Sequence, residues 1–416
     1  MGATVKPKLI HYNLCHGGAF SLSAQAQVTL ADIHYDSAYN FIGPRIGLPR
    51  LGTIRTNYLD LRWIRHRMSD HPLADDVLVT VILPVRNEAN FIARNLEAIF
   101  NEDYPQECLE VIVADGMSTD GTREIIKAVQ KQHSNLQLIE NPGKIVATGM
   151  NAALAGARGE IIVRVDGHTI ISRSYIRECV NTIRRSGADN VGGRMDAVGE
   201  GRFGQAVAQA TSSPFGVGGA RFHYSAREEW VDTVYMGAWP RDVFARIGLF
   251  DEELVRNQDD EFNYRLLSNG GRILLNPQIK SLYYNRNTVR TLWRQYFQYG
   301  YWKVRVMQKH SRQMRPRQFA PPTFVIALLL SLLTAPFFTA GKWMFILVAS
   351  SYLIANTGAS LITAAKGEWR LLPLLPATFA ILHLAYGFGF CAGLVVFWNR
   401  WGNRSNGSRA ELQSLG

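Results

Sequence analysis

Three short apolar runs, at residues 79–83, 109–113 and 160–165, constrain the fold more than any other feature of the chain. Each is rich in Val and Ile, and each ends in a polar turn. Continuous apolar runs of this length suit strands covered on both faces, as in a parallel sheet. Helical patterns at 89–100 and 122–132 lie between them. Strand alternating with helix implies right-handed βαβ units. Ligands of such sheets collect at the carboxyl ends of the strands. Those ends carry Asn87 and Glu88, then Asp115 with Asp120, then Asp166 with His168. Three strand ends aiming acids and amides at one crevice point to a site.

Downstream, the pattern predicts helices at 175–185, 199–210 and from 257 to a glycine stop at 270–271, and strands at 189–195 and 231–239. The stretch 211–224 is rich in Ser and Gly, and reads either as an acceptor gate or as plain connection. Asp120 can cap the helix that follows it or face a nucleotide. Lys144, at a turn opening a helix, can reach a diphosphate or stay solvated. Asp259, Asp260 and Glu261 open a helix, where three acids satisfy the macrodipole.

The end of the chain has another character. Segments 322–340, 343–365 and 372–398 are each long enough to span a bilayer, which takes ~20 apolar residues. Before them, 290–306 reads as an amphipathic helix lying in a membrane interface. Residues 286–317 hold nine Lys or Arg and no acid. That run accounts for much of the +11 net charge. Its position beside the first span favours an anionic membrane surface over a nucleic-acid partner. The basic flanks are expected to put the α/β half in the cytoplasm, at the inner (plasma) membrane. Three spans would leave Arg400, Arg404 and Arg409 outside, so either one segment is re-entrant or the tail is tolerated. Cys15, Cys108, Cys179 and Cys391 show no CxxC spacing, which argues against a zinc site or a disulfide framework.

The expected organisation is therefore a poorly ordered extension over 1–77, with Met68 as an alternative start, and an α/β domain over 78–285 that carries the crevice. A basic interfacial segment follows at 286–320, then about three transmembrane helices over 321–400 and a tail over 401–416.

Four motifs stand in a fixed order: Pro84-Val85-Arg86-Asn87-Glu88, Asp115-Gly116-Met117-Ser118-Thr119-Asp120-Gly121-Thr122, Asp166-Gly167-His168 and Gln258-Asp259-Asp260-Glu261. Gly248-Leu249-Phe250-Asp251-Glu252 precedes the last. Over roughly residues 78–310 the chain resembles the family-two glycosyltransferases, and among them the succinoglycan-type glucosyltransferases, which build exopolysaccharide repeats on a polyprenyl lipid. The resemblance implies a GT-A-like fold, a mixed but mainly parallel sheet sandwiched by helices, with an interfacial helix and transmembrane helices after it. It implies that Pro84, Asn87 and Glu88 line a nucleotide pocket together with Asp115, Asp120 and Lys144. Asp166 and His168 would hold Mn²⁺ or Mg²⁺ at the donor diphosphate. Asp259 would be the general base, with Asp260 and Glu261 completing the cluster. The expected donor is a UDP-sugar, the sugar a hexose such as glucose, and the acceptor a lipid-linked glycan. Two departures stand out: His168 replaces the usual second acid of the metal motif, and Gln258 the usual Glu.

The chemistry suits these residue types. A leaving diphosphate needs cationic neutralisation, and an attacking hydroxyl needs its proton removed. One carboxylate opposite the leaving group gives inversion. A retaining hydrolase would need a flanking pair, which nothing here singles out. A dinucleotide-dependent oxidoreductase is disfavoured, because no GxGxxG follows the first run. A non-catalytic nucleotide-sugar-binding protein is disfavoured by the intact Asp115, Asp166 and Asp259. Processive relatives carry Gln-x-x-Arg-Trp on an interfacial helix. Here Gln298 and Trp302 keep that spacing, but Tyr301 replaces the Arg, so the pair reads as acceptor contacts or as ordinary interface residues. A processive synthase is the alternative to single transfer.

Overall fold

The computed structural model describes residues 77–401, all within the second of two compact units, His71–Gly416. The expected extension, the alternative start at Met68 and most of the tail lie outside the described residues.

β1 (Val79–Val85) is the keel of the sheet, and all seven of its residues are buried. It pairs in parallel with β2 (Leu109–Asp115) on one side and β4 (Ile161–Arg164) on the other. β3 (Leu136–Glu140) extends the parallel half beyond β2. Side chains alternate across β1. Val79, Val81 and Leu83 pack against α1 (Ile92–Phe100) and α4 (Tyr175–Ser186). Ile82, with Ile112 and Ile162, packs on the other face against α3 (Val146–Gly156) and an aromatic group of Trp239, Phe244, Phe250 and Phe262. α2 (Thr122–Gln130) completes the first layer.

Past β4 the sheet becomes mixed. Its order is β3-β2-β1-β4-β8-β6-β9-β5, with β7 on β9. β8 (Tyr235–Pro240) runs antiparallel between β4 and β6 (Asn190–Val198). β9 (Ile273–Tyr284) runs parallel to β6 and takes β5 (Thr169–Ile171) and β7 (Glu229–Val231) antiparallel. The single strand expected at 231–239 is thus two. The chain ends β7, beside β9, at Val231 and enters between β4 and β6 at Tyr235. The long strand β9 was not expected from the sequence. Asn276-Pro277 interrupts its apolar pattern, and its register shifts against β6 where a Cβ on Gly193 would meet the Ile279 carbonyl at 1.5 Å.

α5 (Gly201–Thr211) and the short α6 (Pro214–Val217) carry the chain across the site, and α7 (Asp242–Ile247) and α8 (Gln258–Ser268) back the sheet. α9 (Val289–Lys309) starts at Thr288, whose hydroxyl accepts from the Thr291 amide. Three helices then follow: α10 (Ala320–Thr334), α11 (Thr339–Lys366) and α12 (Leu375–Val396). Counted from Pro316 for the first, all three are long and apolar enough to cross a membrane. α10 ends short of the expected 340, because Pro336 cannot continue it.

α9 carries the basic segment. It packs against α12 through glycines, and its Leu292 and Val304 are buried in protein, while Val289 and Trp293 stay exposed. Part of its charge is buried as well. Lys303, Arg305 and Lys309 are buried and paired: Lys303 with Asp260, Arg305 with Glu253 at 2.8 Å, and Lys309 with Asp251 at 2.5 Å. Arg305, together with Lys309 at 2.6 Å, pulls the Glu253 carboxyl down to about 2. The Gly248–Glu252 motif therefore ends in a clamp on α9.

Candidate active site

The carboxyl ends of β1 and β4, the start of α8 and the inner face of α9 enclose one cavity of about 1320 Å³. Pro84, Glu88, Lys144, Asp166, His168, Asp259, Asp260 and Gln298 line it. Strained backbone marks the same place. Asn87, Met117, Lys144, Met236 and Asn257 adopt left-handed φ of 56–63°. Such conformations cost stability and persist where the surroundings fix them.

The turn after β1 is stitched to the turn after β2. The Asn87 amide donates to Ser118 Oγ at 2.9 Å, and Asn87 Oδ1 accepts from the Thr119 amide at 2.9 Å. Asp120 accepts from the amides of Ala89 at 3.0 Å and Thr122 at 3.1 Å. It therefore ties the first residue of α2 to the β1 turn. Asp115 is fully buried, accepts from the Ser118 amide at 3.1 Å and faces Arg123 at 3.5 Å. Asn87, Asp115 and Asp120 thus shape the turns without lining the cavity.

At the end of β4, Arg164 Nε donates to Asp166 Oδ1 at 2.7 Å. Arg164 is 5% exposed and lines the cavity, and its Nη1 has no partner. Sequence reasoning passed over it, although one cation inside an otherwise apolar strand is itself a signal. His168 Nδ1 lies 3.2 Å from Glu88 Oε1, and its ring meets Tyr283 edge-on.

Across the cavity, Asn257 sets the start of α8 by donating to the Tyr299 carbonyl at 2.9 Å. Asp259 Oδ1 accepts from the Asp260 amide at 2.9 Å. Burial pushes the Asp259 carboxyl above its ordinary range; Arg164 opposes this, and Asp260 and Asp166 add to it. Asp260 pairs with Lys303, so the two neighbouring acids differ in role. Glu261 points elsewhere. It holds Arg265 at 2.7 Å and His310 at 2.9 Å, is buried, and does not line the cavity. Gln298 accepts from Arg256 at 3.2 Å. Trp302 packs with Tyr301 and Phe397, away from the cavity.

Residues 80–248 match the family model for glycosyl transferase family 2. Over 327 residues the chain is 30% identical to the succinoglycan biosynthesis protein ExoA of Rhizobium meliloti (strain 1021), covering 77% of this chain and 96% of that protein. The chain belongs to glycosyltransferase family 2. This transferase is also 27% identical, over 76% of its length and 97% of the relative's, to a Methanococcus voltae dolichyl N-acetyl-alpha-D-glucosaminyl phosphate 3-beta-D-2,3-diacetamido-2,3-dideoxy-beta-D-glucuronosyltransferase. Among solved structures, the mannosyltransferase PcManGT of Pyrobaculum calidifontis, in complex with GDP-Man and Mn²⁺, aligns at TM-score 0.48 and 22% identity over 81% of this chain and 94% of that one. The sheet of the transferase is the mixed, mainly parallel GT-A type that the motifs implied.

Proposed function

We propose that this glycosyltransferase is membrane-bound and inverting. It moves a single hexose, such as glucose, from a UDP-sugar onto a polyprenyl-linked glycan during cell-surface polysaccharide synthesis. Its catalytic domain faces the cytoplasm at the plasma membrane. The observation that carries this reading is the pairing of Asp166 and His168 on one wall of the cavity with the unpaired carboxylate of Asp259 on another. Asp259 takes the proton of the acceptor hydroxyl as it attacks the anomeric carbon. The diphosphate departs from the opposite face, toward Asp166, His168 and Lys144. The succinoglycan biosynthesis named for the Rhizobium meliloti relative supports a role in polysaccharide synthesis, and the dolichyl phosphate in the name of the Methanococcus voltae relative supports a lipid-linked acceptor. So do the three apolar helices.

A divalent cation fits at Asp166 and His168. Among the described residues no three His, Cys, Asp or Glu side chains form a complete metal site. Two protein ligands with the rest from substrate phosphates is, however, a usual arrangement for such cations. Glu88 supports it, since a carboxylate on one ring nitrogen orients the other toward a metal. When bound, the ion supplies positive charge to the leaving diphosphate. Activity should disappear in excess chelator and return with Mn²⁺ or Mg²⁺, Mn²⁺ acting at the lower concentration because of the imidazole. Full activity in chelator would remove this role from both residues.

Single transfer is the second expected outcome. Tyr301 lacks the forked cation that Arg offers a diphosphate, and Trp302 is packed against Phe397. Sizing of labelled lipid-linked product should find one added sugar per acceptor. A ladder of long polymer from purified protein would make this a synthase.

A further inference from the structure

The cavity does not stop at the sheet. It continues past α6 into the apolar helices, where Phe324 and Ala327 of α10 and Val348 and Ala355 of α11 line it. Resting on the lipid-linked acceptor reading, we infer that the isoprenoid chain of the acceptor lies in this apolar extension, between α10 and α11, with its phosphate at Arg294 and Arg317.

The chemistry of the cavity changes along its length in the way such an amphiphile requires. Arg294 and Arg317 both line the cavity, and Arg294 makes no ion pair among the described residues. Arg317 shares one acid, Asp232, with Arg315, at 3.6 and 2.9 Å. Two arginines sharing one carboxylate leave net positive charge for a phosphate. Asp232 also lines the cavity and bounds the site on that side. Beyond the arginines the lining is mostly apolar, with Ser351, Tyr352 and His383 among its polar members, and it comes from helices whose outer faces carry exposed apolar side chains. A nucleotide alone has no use for that extension.

A polar pair fixes the wall. The Tyr352 hydroxyl lies 3.0 Å from His383 Nδ1, and His383 Nε2 donates to the Phe215 carbonyl at 2.8 Å. Polar side chains at membrane depth are costly and mark functional paths. Here they hold α6 against α12, with Phe215 edge-on to Phe379 at 5.0 Å. That keeps the passage open between the apolar end and Asp259.

The test compares one glycan on a long polyprenyl diphosphate and on a short, water-soluble carrier. Ala355→Trp and Ala327→Trp should lower the long-to-short ratio of kcat/KM by at least about tenfold, what losing the burial of roughly two methylene groups is worth. Ile354→Trp, on the exposed outer face of α11, should keep the wild-type ratio. In the wild-type protein, a diazirine-tagged polyprenyl phosphate should label α10 and α11, and unlabelled polyprenyl phosphate should compete while phosphatidylglycerol does not. This arm stands even where a tryptophan variant fails to fold. An unchanged ratio in both cavity variants, or labelling that phosphatidylglycerol displaces, overturns the inference and leaves the lipid acceptor standing. A wild-type protein that uses the short carrier and ignores the long one overturns both.

Discussion

Asp259→Asn should abolish transfer, lowering turnover by roughly 10²–10⁴-fold as removal of a general base does, while binding of the nucleotide sugar should stay close to wild type. Asparagine keeps the Oδ1 that accepts the Asp260 amide, so the turn at the start of α8 survives the change. Only the proton acceptor is lost. Burial raises the Asp259 carboxyl, which makes it a better base and moves its titration above the ordinary range for Asp. The sign follows directly: as pH falls through that raised value the base becomes protonated and kcat/KM drops. The acid limb of the pH profile therefore lies above the ~3.9 of a free Asp side chain, and it vanishes in the asparagine variant. Asp260→Asn has a different signature. It leaves Lys303 buried without its acid, so it costs stability first and turnover second. If Asp260→Asn is dead and Asp259→Asn turns over normally, the roles are reversed.

The second large effect comes from the seam between α9 and α12. A Cβ on Gly389 would sit 2.0 Å from the Phe297 carbonyl, and one on Gly300 would sit 2.0 Å from the Tyr386 carbonyl. Both obstacles are backbone, so no rotamer change relieves them and the helices must separate. Gly389→Val and Gly300→Val should each destabilise the detergent-purified protein by about 1–3 kcal/mol or more, as overpacking does. Activity should fall with stability, since α9 presents Gln298, Tyr299 and Lys303 to the cavity. Gly358→Ala in α11 is the contrast. Its Cβ meets nothing within 4 Å, and alanine is the better helix former, so Tm should hold or rise. Valine variants as stable and active as wild type would mean the seam is looser than described.

The parallel half of the sheet was legible because β1, β2 and β4 are buried on both faces and so are apolar without interruption. β9 was not, because it changes surroundings along its length and carries Asn276-Pro277 in its middle. Asp166 and Asp259, which the resemblance singled out, both line the cavity. An acid that serves the fold looks the same in the sequence as one that serves the site. Glu261 looks like part of the acidic cluster, yet its helical position turns it toward Arg265 and His310. Trp302 keeps a motif's spacing but faces Phe397. The burial of Lys303, Arg305 and Lys309 within the basic run was not legible, because their acidic partners, Asp251, Glu253 and Asp260, stand some 40 to 60 positions earlier in the chain. Pairings of that separation exist only once the fold does.

The most direct measurement is of organic-extractable label. Membranes carrying the full chain, or its Asp259→Asn variant, are given labelled UDP-sugars one at a time with a polyprenyl diphosphate glycan. The expected result is that one donor labels the lipid-linked glycan, with inverted anomeric configuration, in the wild type alone. Label that appears equally with the asparagine variant, that retains configuration, or that never enters the lipid fraction with any donor contradicts it.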